Sequence, residues 1–393
     1  SGAPGSRVLI TTRNVNVSRT SGVSEANMYQ LSCLSDEDSW SLFKQRAFSG
    51  KSSDDYPELV PIGWKIVRKC KGLPLAVKTM ASLLFCEFNK DKWEDILRSE
   101  LWELTEGKDK ILPSLKLSYH HLPSHIKPCF AYCAIFGKGH VFDKDRLVEM
   151  WMAQDSITTT ARQCKEDVGR RYFEDLLQRS FFQKSRYFDS FVMHDLIHDL
   201  AMFICSGDCC EVVDGKLSST SRVRHLLCRN ERDFRRLLSC GCTDDLLKSS
   251  RTCYCVGDSM EPDDVDGAFF MKAMEGMFMK MKYLRVLHFL CIPEITELPD
   301  SLGNLKHLRY LHIYASGLTT LPESVGNLLN LQTLRVETPE LNGLPRRLKD
   351  LVHLRHLCIT GDFLGLTDSM GNLHNLRTLE VQSDKLNDLP ESL

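Results

Sequence analysis

The sequence lacks a dominant charge, a long unbroken apolar run and any regular cysteine spacing, and each absence removes a class of function. Lys plus Arg number 50 against 52 Asp plus Glu, so no global field draws the chain to nucleic acid or to an anionic membrane. The longest apolar stretches are interrupted by Lys, Thr or Pro, which argues against a transmembrane segment. The 16 cysteines follow no even pattern, so a secreted disulfide framework is not expected and a reducing, cytoplasmic setting is. The opening Ser1-Gly2-Ala3-Pro4-Gly5 carries neither a signal peptide nor an initiator Met, as in the interior of a longer protein.

Chemical motifs are scarce too. No G-x-S-x-G elbow or triad is found. The phosphate-cradling loop G-x-x-x-x-G-K-[ST] and the acidic strand that helps hold magnesium are missing; Gly50-Lys51-Ser52 imitates the loop's tail, but Gln45 stands where its first glycine belongs. His194-Asp195-Leu196-Ile197-His198 puts two imidazoles one helical turn apart, like a zinc-protease helix. Asp replaces the Glu base and no third ligand is evident, so no metal is expected. Cys240-Gly241-Cys242 and Cys253-Tyr254-Cys255 lack the two-residue spacing of zinc knuckles. They read as small hydrophobes.

What the sequence does have is a repeat. LRVLHF, LRYLHI, LQTLRV, LRHLCI and LRTLEV begin at Leu284, Leu308, Leu331, Leu354 and Leu376, 22 to 24 residues apart. Each alternates like a half-buried strand. Return segments follow, marked by Leu298-Pro299, Leu321-Pro322, Leu344-Pro345 and Leu389-Pro390, with Leu366-Thr367 as the exception. Gly303-Asn304-Leu305, Gly326-Asn327-Leu328 and Gly371-Asn372-Leu373 then close a short helical turn, the glycine supplying a backbone position that side chains resist. This resembles the leucine-rich repeat family, which implies a solenoid stabilised by stacking of neighbouring coils. An uncapped last coil at Leu393 implies further repeats or a fraying end. The variable strand positions form columns on the concave face: Val286, Tyr310, Thr333, His356 and Thr378, beside His288, His312, Arg335, Cys358 and Glu380. Such mixed polar and aromatic columns suit protein contact, so Tyr310, His312, Thr333, Arg335 and His356 are candidate partner-binding residues. A merely solvated face is the plainer alternative.

The front half reads as one strand followed by helices. Val8-Leu9-Ile10 is a short apolar run expected to form a buried parallel strand, with Thr11-Thr12-Arg13 at its ligand-facing end. Ser35 caps a helix whose Trp40, Phe43 and Ala47 share a face. A second helix stops at Gly72, and Pro74 starts a third. Together GSRVLITTRN (5–14), LSCLSDEDSWSLFKQRAF (31–48), KGLPLA (71–76), CFAYCAIF (129–136), LVEMWMAQ (147–154), RSFFQ (179–183) and VMHDLIHDLA (192–201) resemble, in order, the plant NB-ARC immune receptors of the coiled-coil class.

That resemblance implies a multidomain α and α/β chain. Residues 1–30 would be the remnant of a P-loop NTPase sheet, 31–106 a helical domain, 107–203 a winged-helix domain, and 204–393 the leucine-rich repeat solenoid. It implies that Arg13 monitors the terminal phosphate, Pro74 lies against adenine and His194 reaches the diphosphate of resting ADP. Taken singly, each has a plainer role: a solvated strand-end charge, a helix-starting residue, a capping histidine. With the phosphate loop missing, ADP or ATP binding by this chain is expected to be weak or absent, and hydrolysis is not expected. Function by resemblance is a defence receptor that binds a pathogen effector or a guarded host protein through its repeats. Self-association is expected of the intact receptor, and membrane or nuclear association is left to segments outside this chain. A repeat scaffold that binds a partner without switching is the alternative. The family usually has Pro where Gly137 stands and an acidic-glycine stretch where Asp155-Ser156 stands.

Overall fold

The structure, a computed structural model, describes residues 3, 5–12, 15–103, 112–160, 162–186, 189–213, 216–217, 223–230, 233, 244–256, 267–292, 295–363 and 368–385. Arg13, Cys240-Gly241-Cys242, Leu366-Thr367 and Leu389-Pro390 lie outside them. The chain forms two compact units, 1–98 and 99–393. Among the described residues no helix is long and apolar enough to cross a membrane.

The first unit is helical: α1 (Val15–Thr20), α2 (Asp36–Ala47), α3 (Val60–Lys69), α4 (Pro74–Leu83) and α5 (Lys90–Arg98). The strand expected at Val8-Leu9-Ile10 does not form. These residues belong to no strand or helix, with Val8 86% and Leu9 90% exposed. A strand completes its hydrogen bonds only beside a neighbour, and none lies next to it among the described residues. The helices follow their local signals closely. The Ser35 hydroxyl accepts from the Asp38 amide at 3.0 Å, capping α2 behind three first-turn acids. Lys71 and Gly72 both have positive φ, at 53° and 68°. A side chain at Gly72 would also meet the Leu34 carbonyl oxygen at 2.4 Å, so the corner between α3 and α4 requires glycine. Aromatic rings pack the interior: Trp40 stacks on Trp64 at 5.1 Å between centroids, and the buried Phe43 meets the edge of Trp93 at 5.7 Å.

The second unit begins with α6 (Pro113–His120) and α7 (Lys127–Tyr132) and continues as a winged helix. Its strands β1 (Val141–Asp143), β2 (Gln183–Lys184) and β3 (Ser190–Val192) form a small antiparallel sheet in the order β1-β3-β2. Around it lie α8 (Lys144–Ala153), α9 (Lys165–Gln178) and α10 (Asp195–Cys205). Phe142, Phe173, Phe182 and Phe191 fill the space between sheet and helices, Phe173 stacking on Phe182 at 4.8 Å.

Next comes one nine-stranded sheet: β4 (Cys209–Val213), β5 (Lys216–Leu217), β6 (His225–Cys228), β7 (Thr252–Val256), β8 (Val286–Ile292), β9 (Tyr310–Ala315), β10 (Thr333–Glu337), β11 (His356–Thr360) and β12 (Thr378–Gln382). All neighbours pair in parallel except the β4 and β5 hairpin. Two helices, α11 (Asp244–Ser249) and α12 (Gly267–Lys280), precede β7 and β8. The sheet therefore starts three parallel strands ahead of the first clear leucine motif at Leu284. There Cys210, Leu226, Cys253 and Cys255 take the interior positions that leucine, isoleucine and phenylalanine hold later.

Leu284, Leu308, Leu331 and Leu354 are fully buried, as are Leu287, Leu311 and Leu334, so consecutive coils share one interior. Short 3₁₀ turns at Asp300–Asn304, Glu323–Asn327 and Arg346–Asp350 return the chain. The glycines in these turns act differently from expectation. Neither Gly303 nor Gly326 has positive φ; a Cβ on Gly303 would instead strike Ser324 O at 2.7 Å, and one on Gly326 would strike Arg347 Cβ at 2.5 Å. They permit one return turn to lie against the next, which is a matter of space and not of dihedral angle.

Candidate functional site

The sheet register places the two predicted columns side by side, Val286, Tyr310, Thr333, His356 and Thr378 in one and His288, His312, Arg335, Cys358 and Glu380 in the other, and extends them by Thr252 and Tyr254 on β7. In this structure the face they form is covered. Tyr310, His312, Thr333, Arg335 and His356 are all buried, because the winged helix of the same unit lies over them.

Three acidic residues of the winged helix make the contact. Glu149, on α8, receives two parallel hydrogen bonds from Arg335, Nε to Oε2 at 3.0 Å and Nη2 to Oε1 at 2.8 Å. Both partners are shielded from solvent, with side chains 7% and 5% exposed. Burial disfavours the charge on Arg335, but the hydrogen bonds and charge of Glu149 outweigh it and hold the guanidinium pKa above its ordinary value. The planar fork of arginine suits this two-point geometry, which a lysine does not reproduce.

Glu166, in the first turn of α9, is gripped by Arg355 at 2.6 and 2.8 Å, by His356 Nε2 at 3.2 Å and by the Cys164 thiol at 2.7 Å. Burial pushes its carboxyl upward; the donors from His356, Arg355 and Cys164 prevail and carry it well below the usual range. Asp155 follows α8 in the left-handed conformation, φ 59°. Its carboxylate straddles Arg285, at 3.1 Å, and Arg309. The side chain that tolerates this strained backbone also makes the ion pairs.

Around these pairs are neutral contacts, one further ion pair and rings. Gln154 Nε2 donates to Thr252 Oγ1 at 2.8 Å, and Arg146 meets Glu337 at 3.2 Å, while His312 Nε2 lies 3.1 Å from the same Glu337 oxygen. Tyr254 stacks on His288 at 4.1 Å, with Phe136 edge-on to Tyr254 at 5.1 Å. Burial lowers the pKa of His288 well below its ordinary value, and the neighbouring His312 adds to the effect. His312 is also lowered, by burial, against the opposing pull of Glu337.

The residues expected at a nucleotide are not assembled within either unit. Arg13 is outside the described residues, Pro74 is the exposed first residue of α4 in the first unit, and His194 belongs to the second. His194 caps α10, its Nδ1 accepting from the Leu196 amide at 3.1 Å. His198, one turn on, is turned inward and its Nε2–H donates to the Phe136 carbonyl, so the two imidazoles serve the backbone at separate places. Among the described residues no cluster has the composition of a metal site.

Sequence reasoning missed Glu149, Asp155 and Glu166. A signal existed for the first: Leu147, Val148, Met150, Trp151, Met152 and Ala153 are apolar on every side of it, and a carboxylate inside such a run needs a buried cation.

Three family models match in order: the NB-ARC domain over residues 1–53, the disease resistance protein winged helix domain over 135–201, and the leucine-rich repeat region over 268–393. The chain is 41% identical over 227 residues to putative disease resistance RPP13-like protein 1 of Arabidopsis thaliana, covering 57% of this chain and 21% of that protein. It is 36% identical over 315 residues to putative disease resistance protein RGA1 of Solanum bulbocastanum, covering 79% of this chain and 28% of the relative. Disease resistance protein RGA2 of the same species is 40% identical over 243 residues, covering 61% of this chain and 24% of its own length. The chain thus spans between a fifth and a third of the length of these relatives. With an NB-ARC match, a winged helix and stacked leucine-rich coils in that order, it belongs to the family of plant NB-ARC leucine-rich repeat disease resistance proteins.

Proposed function

We propose that this chain is the switch and sensor portion of a plant immune receptor, drawn in its closed state. The repeat face that recognises a pathogen effector or guarded host protein is sealed by the winged helix. The observation that carries the reading is the buried, two-point Glu149–Arg335 pair, set in the middle of the columns that a partner would touch. A buried pair of this kind adds little net stability over an apolar contact yet is costly to leave half-made. It therefore suits a joint that either closes completely or opens to water, where both charges are solvated again.

Opening frees Tyr310, His312, Thr333, Arg335 and His356 together, which makes partner binding and release of the winged helix a single event. In the intact receptor, exchange of ADP for ATP biases the same hinge, with Arg13, Pro74 and His194 at the nucleotide. Without a phosphate loop this chain binds nucleotide weakly or not at all, which titration with a fluorescent ADP analogue tests. The chain signals by changing shape and is not an enzyme in its own right.

Glu149→Arg places two like charges in the joint and is expected to open it. Small-angle scattering of the variant should show a larger radius of gyration at an unchanged content of helix and strand. In the intact receptor the same substitution should produce defence signalling without an elicitor. An opened joint with signalling still dependent on the elicitor refutes the proposal.

A further inference from the structure

Residues immediately ahead of the strands form a second register that the protein-binding face does not use. Arg224, Arg251, Arg285 and Arg309 stand at equivalent places on consecutive strands. Each amide donates to the carbonyl of the arginine before it, at 2.7 Å for Arg251, 2.8 Å for Arg285 and 2.9 Å for Arg309. Adjacent members are one strand spacing apart, about 4.8 Å. The result is a ladder of guanidinium groups along one edge of the sheet.

The winged helix shows what this ladder accepts. Asp155 sets one carboxylate oxygen on Arg285 and the other on Arg309, and further along the edge Glu166 takes both nitrogens of Arg355. At the other end the acids run out. Arg224 has only Asp208, at 3.7 Å with both side chains nearly half exposed, and Arg251 has no carboxylate partner among the described residues. These two, with Arg285, open into a cavity of about 380 Å³ completed by Ser249, Tyr283 and His307. The exposed Tyr283 and His307 rings stack at 5.7 Å and form one wall. Like charges crowd here: burial lowers the Arg285 pKa first, and the neighbouring Arg309 and Arg251 lower it further.

We propose that this cavity binds a small anion carrying two or more phosphate groups, held between Arg224, Arg251 and Arg285. Phosphate oxygens match the guanidinium fork in the way the carboxylate of Asp155 already does, with more charge to offset that of the ladder. Arginines on successive strands reward neighbouring phosphates over a single one. The ring wall gives the carbon skeleton of a phosphorylated sugar or polyol a face to lie against. The site adjoins the joint through Arg285, which Asp155 also holds, whereas Arg224 and Arg251 make no ion pair with the winged helix among the described residues, so the Arg251→Gln arm tests it apart from the closed-joint reading.

The test is titration calorimetry of the whole chain with pyrophosphate and with orthophosphate. Pyrophosphate is expected to bind saturably and at least tenfold more tightly than orthophosphate, with affinity that falls as salt rises. Arg251→Gln should reduce that affinity tenfold or more. His307→Glu, a substitution at the exposed rim, should do the same while leaving thermal unfolding unchanged. Sedimentation with phosphatidylcholine vesicles containing phosphatidylinositol bisphosphate separates the sources. Co-sedimentation abolished by Arg251→Gln assigns a lipid headgroup, and pyrophosphate binding without co-sedimentation assigns a soluble ligand. No saturable pyrophosphate binding, or binding indifferent to both variants, overturns the proposal.

Discussion

The two units hold themselves together by different physics. The helical unit is closed by rings: Trp40 on Trp64, Phe43 against Trp93, Phe48 against Trp93, with no histidine anywhere in residues 1–98. In the second unit the joint between winged helix and repeats is built from four carboxylates, five arginines and His356. Apolar contact is indifferent to pH and to salt over ordinary ranges, whereas a charged joint responds to both. The difference teaches which contact is made to last and which to be undone.

The sharpest way to break the comparison is to damage each contact once and then attempt a repair. Trp93→Ala removes a fully buried ring and is expected to destabilise the helical unit by about 3–5 kcal/mol. Arg335→Met takes from the buried Glu149 its two-point partner and leaves it only His356, at 3.9 Å, at a cost of up to about 3–5 kcal/mol to the closed joint. Adding Glu149→Leu should then recover most of that loss, since an apolar pair replaces an ionic one at little net cost. Urea unfolding of the single and double variants measures both. A double variant as unstable as Arg335→Met alone would mean that the joint is packed like a core.

Acid gives the next largest effect. Burial lowers His140 from 6.5 to about 4, and lowers His225 from 6.5 to about 3, with Arg224 and Arg251 adding to the latter. Below neutrality the unfolded chain takes up protons that these folded rings refuse, so the unfolded state binds more protons and stability falls as pH drops. The loss begins as pH falls through about 6.5 and is absent above it. At pH 5 each ring contributes a loss of about 2 kcal/mol. Differential scanning calorimetry at pH 7.5 and 5 should show the second unit melting earlier in acid while the histidine-free unit shifts far less. Equal shifts in both units would remove pH as a distinction between them.

Much of this architecture was legible in sequence because its causes are local. Leucines at a near-constant interval dictate stacked strands, Ser35 before three acids dictates a helix start, and Gly72 followed by Pro74 dictates a corner. Even the side-by-side order of the face columns follows from the repeat interval. The failures have non-local causes. Val8-Leu9-Ile10 has the composition of a buried strand, but composition supplies no neighbour to pair with. The closure of the repeat face joins residues 186 positions apart at Glu149 and Arg335, and neither local pattern nor period reports which distant surface a column meets. What local reading offers is a discrepancy, a carboxylate among six apolar residues, which says that a cation is needed without saying where it comes from.

Asp155 carries the smallest and most discriminating prediction. Its left-handed backbone favours glycine, so Asp155→Gly relieves roughly 1 kcal/mol of strain. The same change removes the carboxylate shared by Arg285 and Arg309, partly exposed pairs that contribute about 0–1 kcal/mol between solvated groups. The two effects nearly cancel in low salt, so the melting temperature is expected to move little. They part as ionic strength rises, because screening weakens the ion pairs of the wild type and leaves the glycine's gain untouched. Wild type should therefore lose stability with added salt while Asp155→Gly loses less, and the two melting curves should diverge in favour of the variant. A wild-type advantage that persists undiminished at high salt would show that Asp155 is held by packing, which would align this end of the joint with the aromatic interior of the helical unit.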